Sequence, residues 1–121
     1  MTKTTKLISV SIPVADQDAA LRFYTEVLGC ELEVDQEIMP GGRLVQVRPP
    51  GSPVSLALLL PDGPIPVAVR LGTGDADEAF VRVARAGVRV HNEEVLRWPG
   101  VPPMFSFEDV DGNGLVYLQD E

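Results

Sequence analysis

The stretch Leu7-Ile-Ser-Val-Ser-Ile-Pro-Val14 alternates, with Ile8, Val10, Ile12 and Val14 on one side and Ser9 and Ser11 on the other. This period of two predicts a strand with one small, polar face. A helix follows. Asp16 is an N-cap, Asp18 sits in the first turn, and Ala20, Leu21, Tyr24, Val27 and Leu28 recur at helical spacing until Gly29 supplies a left-handed stop. Glu31 to Ile38 and Arg43 to Arg48 read as strands around Pro40-Gly41-Gly42. Val54 to Leu60 is a further strand after the Pro49–Pro53 turn, with Ser55, Ala57 and Leu59 on the face opposite Val54, Leu56, Leu58 and Leu60.

Beyond the turn-rich linker Pro61–Pro66 the same order begins again. Val67 to Thr73 is a predicted strand. Asp75-Ala-Asp-Glu78 is a variant capping box, and Ala79, Phe80, Val83 and Ala86 line one helical face before Gly87. Val88 to Val95, Met104 to Glu108 and Leu115 to Gln119 read as strands, with Trp98–Pro103 as a loop. Asp16, Asp18, Ala20 and Leu21 map onto Asp75, Asp77, Ala79 and Phe80 with one offset of 59 residues. The expected fold is therefore α+β: two strand-helix-three-strand modules, 6–61 and 66–120, in one domain spanning 1–121. Each half is too small to bury both faces of its sheet, so two curved mixed sheets are expected to pair and enclose a cavity, within the chain or across a dimer.

Composition narrows the function. With 10 Lys and Arg against 18 Asp and Glu, the net charge of −8 disfavours nucleic acid as a partner. No apolar run approaches the ~20 residues that span a bilayer, and none resembles a signal-peptide core. No membrane partner and a cytoplasmic location are the expectation. One Cys, Cys30, excludes an intrachain disulfide and reads as a small core residue. One His, His91, excludes any site in a single chain that needs two histidines.

Ile8-Ser-Val-Ser-Ile-Pro-Val-Ala-Asp16, Ala20-Leu-Arg-Phe-Tyr24, Val27-Leu-Gly29, Trp98-Pro-Gly100 and Asp109-Val-Asp-Gly-Asn113 together resemble the vicinal oxygen chelate superfamily. Glyoxalase I, bleomycin-resistance proteins and extradiol dioxygenases belong to it. The resemblance covers nearly the whole chain and implies paired βαβββ modules, commonly a homodimer, and in the enzymes a divalent metal between modules. It also implies where that metal's ligands would stand: a His or Gln on the first strand of each module and a carboxylate on its last. Those positions match Ser9, Ala57, Ala68 and Val116, which keep the 59-residue offset. Ser is a weak neutral ligand, and Ala and Val have no donor atom, so the usual Zn, Ni, Mn or Fe site cannot be built from them.

Other candidates are weaker. Asp109-Val-Asp-Gly-Asn-Gly114 matches the start of a calcium loop, but no flanking helices are predicted, and its two Gly-containing pairs suit a hairpin. His91 in His91-Asn-Glu-Glu94 reads as a surface-strand histidine rather than a base or ligand. No Gly-x-Ser-x-Gly elbow surrounds Ser9 or Ser11. Arg70 falls beside Ala68 on the cavity face, where it either binds a ligand carboxylate or pairs with an acid. Trp98 either stacks over the cavity mouth or covers a core edge. Which pair of Met104–Phe107 faces the cavity stays open.

The leading expectation is a metal-free and cofactor-free protein with no catalytic residues. It would bind an apolar or aromatic small molecule, as antibiotic-sequestering resistance proteins do, in a cavity lined by Ser9, Ser11, Ala57, Leu59, Ala68, Arg70, Val116 and Leu118, with Trp98 as a lid. A homodimer is its expected assembly. The alternatives are a lyase, isomerase or dioxygenase with displaced ligands, such as His91 with Glu93, Glu94 or Glu108, and a dimerisation module without a ligand.

Overall fold

The computed structural model describes residues 5–120, which form two compact units. The first, Ile8–Val67, holds most of β1 (Thr5–Pro13), then α1 (Gln17–Arg22), β2 (Glu31–Met39), β3 (Gly42–Arg48) and β4 (Ser55–Leu59). Its strands lie in the order β2-β3-β4-β1, with β1 parallel to β4 and the other pairs antiparallel. The second unit starts at Ala68 and includes residues 5–7. It holds β5 (Val69–Thr73), α2 (Ala76–Arg85), β6 (Leu96–Trp98), β7 (Val101–Glu108) and β8 (Gly114–Gln119), in the order β5-β8-β7-β6. Among the described residues no helix is long and apolar enough to cross a membrane.

The internal repeat extends to the hydrogen-bonding register. Val10, Ser11, Ile12 and Pro13 face Leu56, Ala57, Leu58 and Leu59; Val69, Arg70, Leu71 and Gly72 face Leu115, Val116, Tyr117 and Leu118, each partner shifted by the same 59 residues. The caps repeat as well: Asp16 Oδ1 accepts from the Ala19 amide and Asp75 Oδ1 from the Glu78 amide, both at 3.0 Å. Gly29 and Gly87 end the helical segments at φ 76° and 83°, where a side chain would be strained.

Each sheet buries one face under its helix. In the first unit Val45, Val47 and Leu58 pack with Ile12, Leu56, Ala20, Leu21, Tyr24 and the buried Cys30. In the second, Phe105, Phe107 and Tyr117 pack with Ala76, Ala79, Val83 and Phe80 of α2. Gln17, buried at the start of α1, donates from Nε2 to the carbonyls of Arg43 and Leu58, both at 2.9 Å, and so ties the helix to two strands. Arg43 adds ion pairs to Asp35 of β2 and Asp18 of α1.

Three local expectations are corrected. The first helix does not run unbroken to Gly29: Phe23–Val27 form a π-helical turn, with the Leu28 amide reaching Phe23 O, while Thr25 Oγ1 bonds Leu21 O and competes with the regular ladder. Val88–Val95 is not a strand but a single bridge, Val90 to Phe107, because Asn92 Oδ1 takes the Ser106 amide that a continued backbone ladder would use. Trp98–Pro103 is not a loop. Trp98 and Val101 are paired strand residues around a Pro99-Gly100 turn, with Gly100 at φ 78°.

Candidate functional site

The faces turned away from the helices carry most of the sequence-predicted site residues. In the first unit, Ser9 and Ser11 of β1 stand beside Ser55 and Ala57 of β4. Ser9 is 1% exposed, and its Oγ has no hydrogen-bond partner among the described residues. Ala57 and Leu59 are buried under Ile65 of the linker, with Met39, Leu44 and Val67 around them. A void of about 10 Å³ near Gln17, Leu59 and Ile65 has room for a single water.

In the second unit, Arg70, Val116 and Ser106 form a row across β5, β8 and β7, and Gly72, Leu118 and Met104 form the next. The question left open for Met104–Phe107 is thereby answered: Phe105 and Phe107 turn to α2, and Met104 and Ser106 turn away. Ala68 is buried one residue before β5 begins. Burial pushes the Arg70 guanidinium below its ordinary value, since a charge is costly where water is scarce. Trp98 is half exposed at the β6–β7 turn.

A divalent metal does not fit the positions that resemblance assigns to its ligands. Ala57, Ala68 and Val116 are buried and have no donor, and Ser9 offers one neutral hydroxyl. Nor do displaced ligands assemble: among the described residues no three His, Cys, Asp or Glu side chains gather. His91 meets Glu108 alone of its three proposed acidic partners, Nε2 to Oε2 at 2.8 Å.

Two polar clusters occupy matching places in the repeat, and of their contacts sequence reasoning named only His91 with Glu108, as one of three alternative pairs. In the first unit Glu33 accepts from Ser55 and Gln46 and pairs with Arg48. In the second His91 bonds Ser106 and Glu108, which correspond to Gln46 and Arg48 in strand position. The only available signal was alternation, which puts Ser106 and Glu108 on one face; their meeting with His91 depends on a non-local bridge.

The hydrogen bond from Ser55, followed by those from Arg48 and Gln46 and the Arg48 charge, holds the Glu33 carboxyl below its usual value. A lowered folded-state value contributes stability above the unfolded value, and that stability is lost as pH falls through the folded one. Glu33→Gln is therefore expected to lower the melting temperature at neutral pH. The gap to wild type should close below about pH 4, and a gap that is constant with pH refutes this. Asp109-Val-Asp-Gly-Asn113 is the β7–β8 hairpin connection, Asp109 Oδ1 accepting from the amides of Asp111 and Asn113, with strands rather than helices on both sides.

Residues 6–117 match the family model described as Glyoxalase/Bleomycin resistance protein/Dioxygenase superfamily. No curated protein matches the sequence. Among solved structures, a hypothetical protein from Bacillus halodurans C-125 aligns with a TM-score of 0.80 at 17% identity, covering 98% of this chain and 96% of its own. A methylmalonyl-CoA epimerase from Mycobacterium tuberculosis aligns with a TM-score of 0.79 at 24% identity, covering 96% and 88%. The Streptomyces coelicolor methylmalonyl-CoA epimerase in complex with 2-nitronate-propionyl-CoA gives 0.77 at 21%, covering 98% and 99%. These likenesses show the α+β fold.

Proposed function

The chain belongs to the Glyoxalase/Bleomycin resistance protein/Dioxygenase superfamily, and from that premise we propose that it binds an apolar or aromatic small molecule without a metal, by sequestration rather than turnover. One observation carries the reading: the four positions at which resemblance places metal ligands hold Ser9, Ala57, Ala68 and Val116, three buried side chains without a donor atom and one neutral hydroxyl without a hydrogen-bond partner among the described residues. The second unit's sheet face supplies mixed chemistry, with Met104, Val116 and Leu118 apolar and Arg70 cationic. Such a face suits a flat apolar body with one anionic group.

The probe that tests this is 1-anilinonaphthalene-8-sulfonate. Trp98, the chain's one tryptophan, serves as an energy-transfer donor. Saturable binding that is unchanged by a chelator is expected. Arg70→Gln should weaken it about tenfold, ~1.4 kcal/mol, and Leu118→Arg should abolish it. Absence of saturable binding, or binding that a chelator removes, contradicts the proposal.

A further inference from the structure

The contacts of His91 follow from backbone pairing. Its amide donates to Ser106 O and the Glu108 amide donates to Arg89 O, both at 2.9 Å, which docks residues 89–91 antiparallel to β7. Val90 opposite Phe107 points to the core, so His91 lies on the other face with Ser106 and Glu108. There Nδ1 is 3.0 Å from Ser106 Oγ and Nε2 is 2.8 Å from Glu108 Oε2. Placing the imidazole proton on Nε2 satisfies both contacts: Nε2–H donates to the carboxylate, and Nδ1 accepts from the serine hydroxyl. The Arg89 guanidinium lies 3.8 Å from the same carboxylate oxygen.

A hydroxyl on a base that a third group orients is the arrangement by which serine becomes a nucleophile. We infer that Ser106, His91 and Glu108 form an acyl-transfer site that hydrolyses activated esters, an activity that lies on the same sheet face as Arg70 and Val116 but does not rest on the binding proposed above. His91 keeps 35% of its side chain exposed and Glu108 27%, so solvent and a small ester reach the cluster. The Ser106 amide is held by Asn92 Oδ1 at 2.8 Å and does not receive an oxyanion. The site is thereby confined to esters of good leaving groups, such as nitrophenyl esters, and does not extend to amides.

The step balances with water as the second reactant. Ser106 Oγ attacks the acyl carbon while His91 Nδ1 takes the hydroxyl proton. The bond from acyl carbon to phenolate oxygen breaks, the phenolate leaves with the electron pair, and His91 passes its proton to water. Water then attacks the acyl-serine and gives a proton to Nδ1; the bond to Oγ breaks, Oγ recovers that proton from His91, and the carboxylic acid departs. Ser106 and His91 are catalytic residues here, and Glu108 is a positioning residue.

The test is hydrolysis of p-nitrophenyl acetate, with fluorophosphonate labelling mapped by peptide mass. Wild type should turn over the ester and carry the label on Ser106, and Ser106→Ala and His91→Gln should each lose about tenfold or more in rate. Ser106→Cys, of nearly the same size, should keep a nucleophile and trap the acyl group, which keeps the test valid if the alanine variant fails to fold. Glu108→Gln should lower kcat with little change in KM, since it orients the base and does not touch the ester. Undiminished turnover in Ser106→Ala, a label on another residue, or a Glu108→Gln effect confined to KM overturns the assignment, and none of these bears on metal-free binding.

Discussion

Phe105→Ala is expected to destabilise the protein by about 3–5 kcal/mol, since it truncates the largest fully buried side chain among the described residues. Phe105 is 1% exposed. It meets Phe80 of α2 edge-on at 5.1 Å between ring centroids and lies beside Phe107 and Tyr117 at 5.5 and 5.9 Å. Truncation opens a cavity lined by three rings that are fixed by their own strands and helix, so little collapse can offset it. It also removes aromatic pairing beyond the buried area. Urea unfolding measures the loss. A change below about 1 kcal/mol would mean that the helix is not anchored on these rings.

Gln17→Ala is expected to cost about 2–4 kcal/mol, although a polar residue at a helix start normally tolerates replacement. Its amide nitrogen is the donor for two strand carbonyls, Arg43 O on β3 and Leu58 O on β4. Both would lose that partner, and the one at Leu58 is buried. Gln17→Glu discriminates between loss of packing and loss of donors, since it keeps the size and removes the amide donor. It should be at least as damaging as alanine at neutral pH. A glutamate variant as stable as wild type would show that the two hydrogen bonds contribute nothing.

These two residues mark what the chain's pattern reveals and what it hides. The strand alternation, the Asp16 and Asp75 caps, the Gly29 and Gly87 stops and the 59-residue offset are local signals, and the register of β1 with β4 and β5 with β8 follows them. Gln17 carries no such signal, because its role depends on carbonyls 26 and 41 residues away. The same holds for the Ser106 contact of His91, 15 residues ahead across a bridge that Asn92 cuts short, whereas Glu108 was one of three acids that the sequence offered as its partner. The π-helical turn was hidden for a different reason: apolar spacing in Phe23–Val27 fits an ordinary helix, and the Thr25 hydroxyl bond to Leu21 O that accompanies the turn leaves no trace in that spacing.

The two polar clusters show how one scaffold position serves two chemistries. Glu33, ringed by Ser55, Gln46 and Arg48, is a carboxylate whose capacity is taken up by donors, and it acts as structure. At the matching place His91 has a hydroxyl on one nitrogen and a carboxylate on the other, an arrangement able to move a proton. The difference comes from side-chain identity on a repeated backbone, in keeping with a fold that hosts many functions.

The proposed metal-free binding rests on Ser9, Ala57, Ala68 and Val116, which together offer one neutral hydroxyl at the positions where the resemblance places metal ligands. The decisive measurement is elemental analysis of protein purified without chelator and then equilibrated with Zn, Ni, Mn and Fe(II). Bound metal far below one equivalent per chain is expected, with a melting temperature that added metal does not raise. One tightly held equivalent, lost on chelation together with stability, would contradict it.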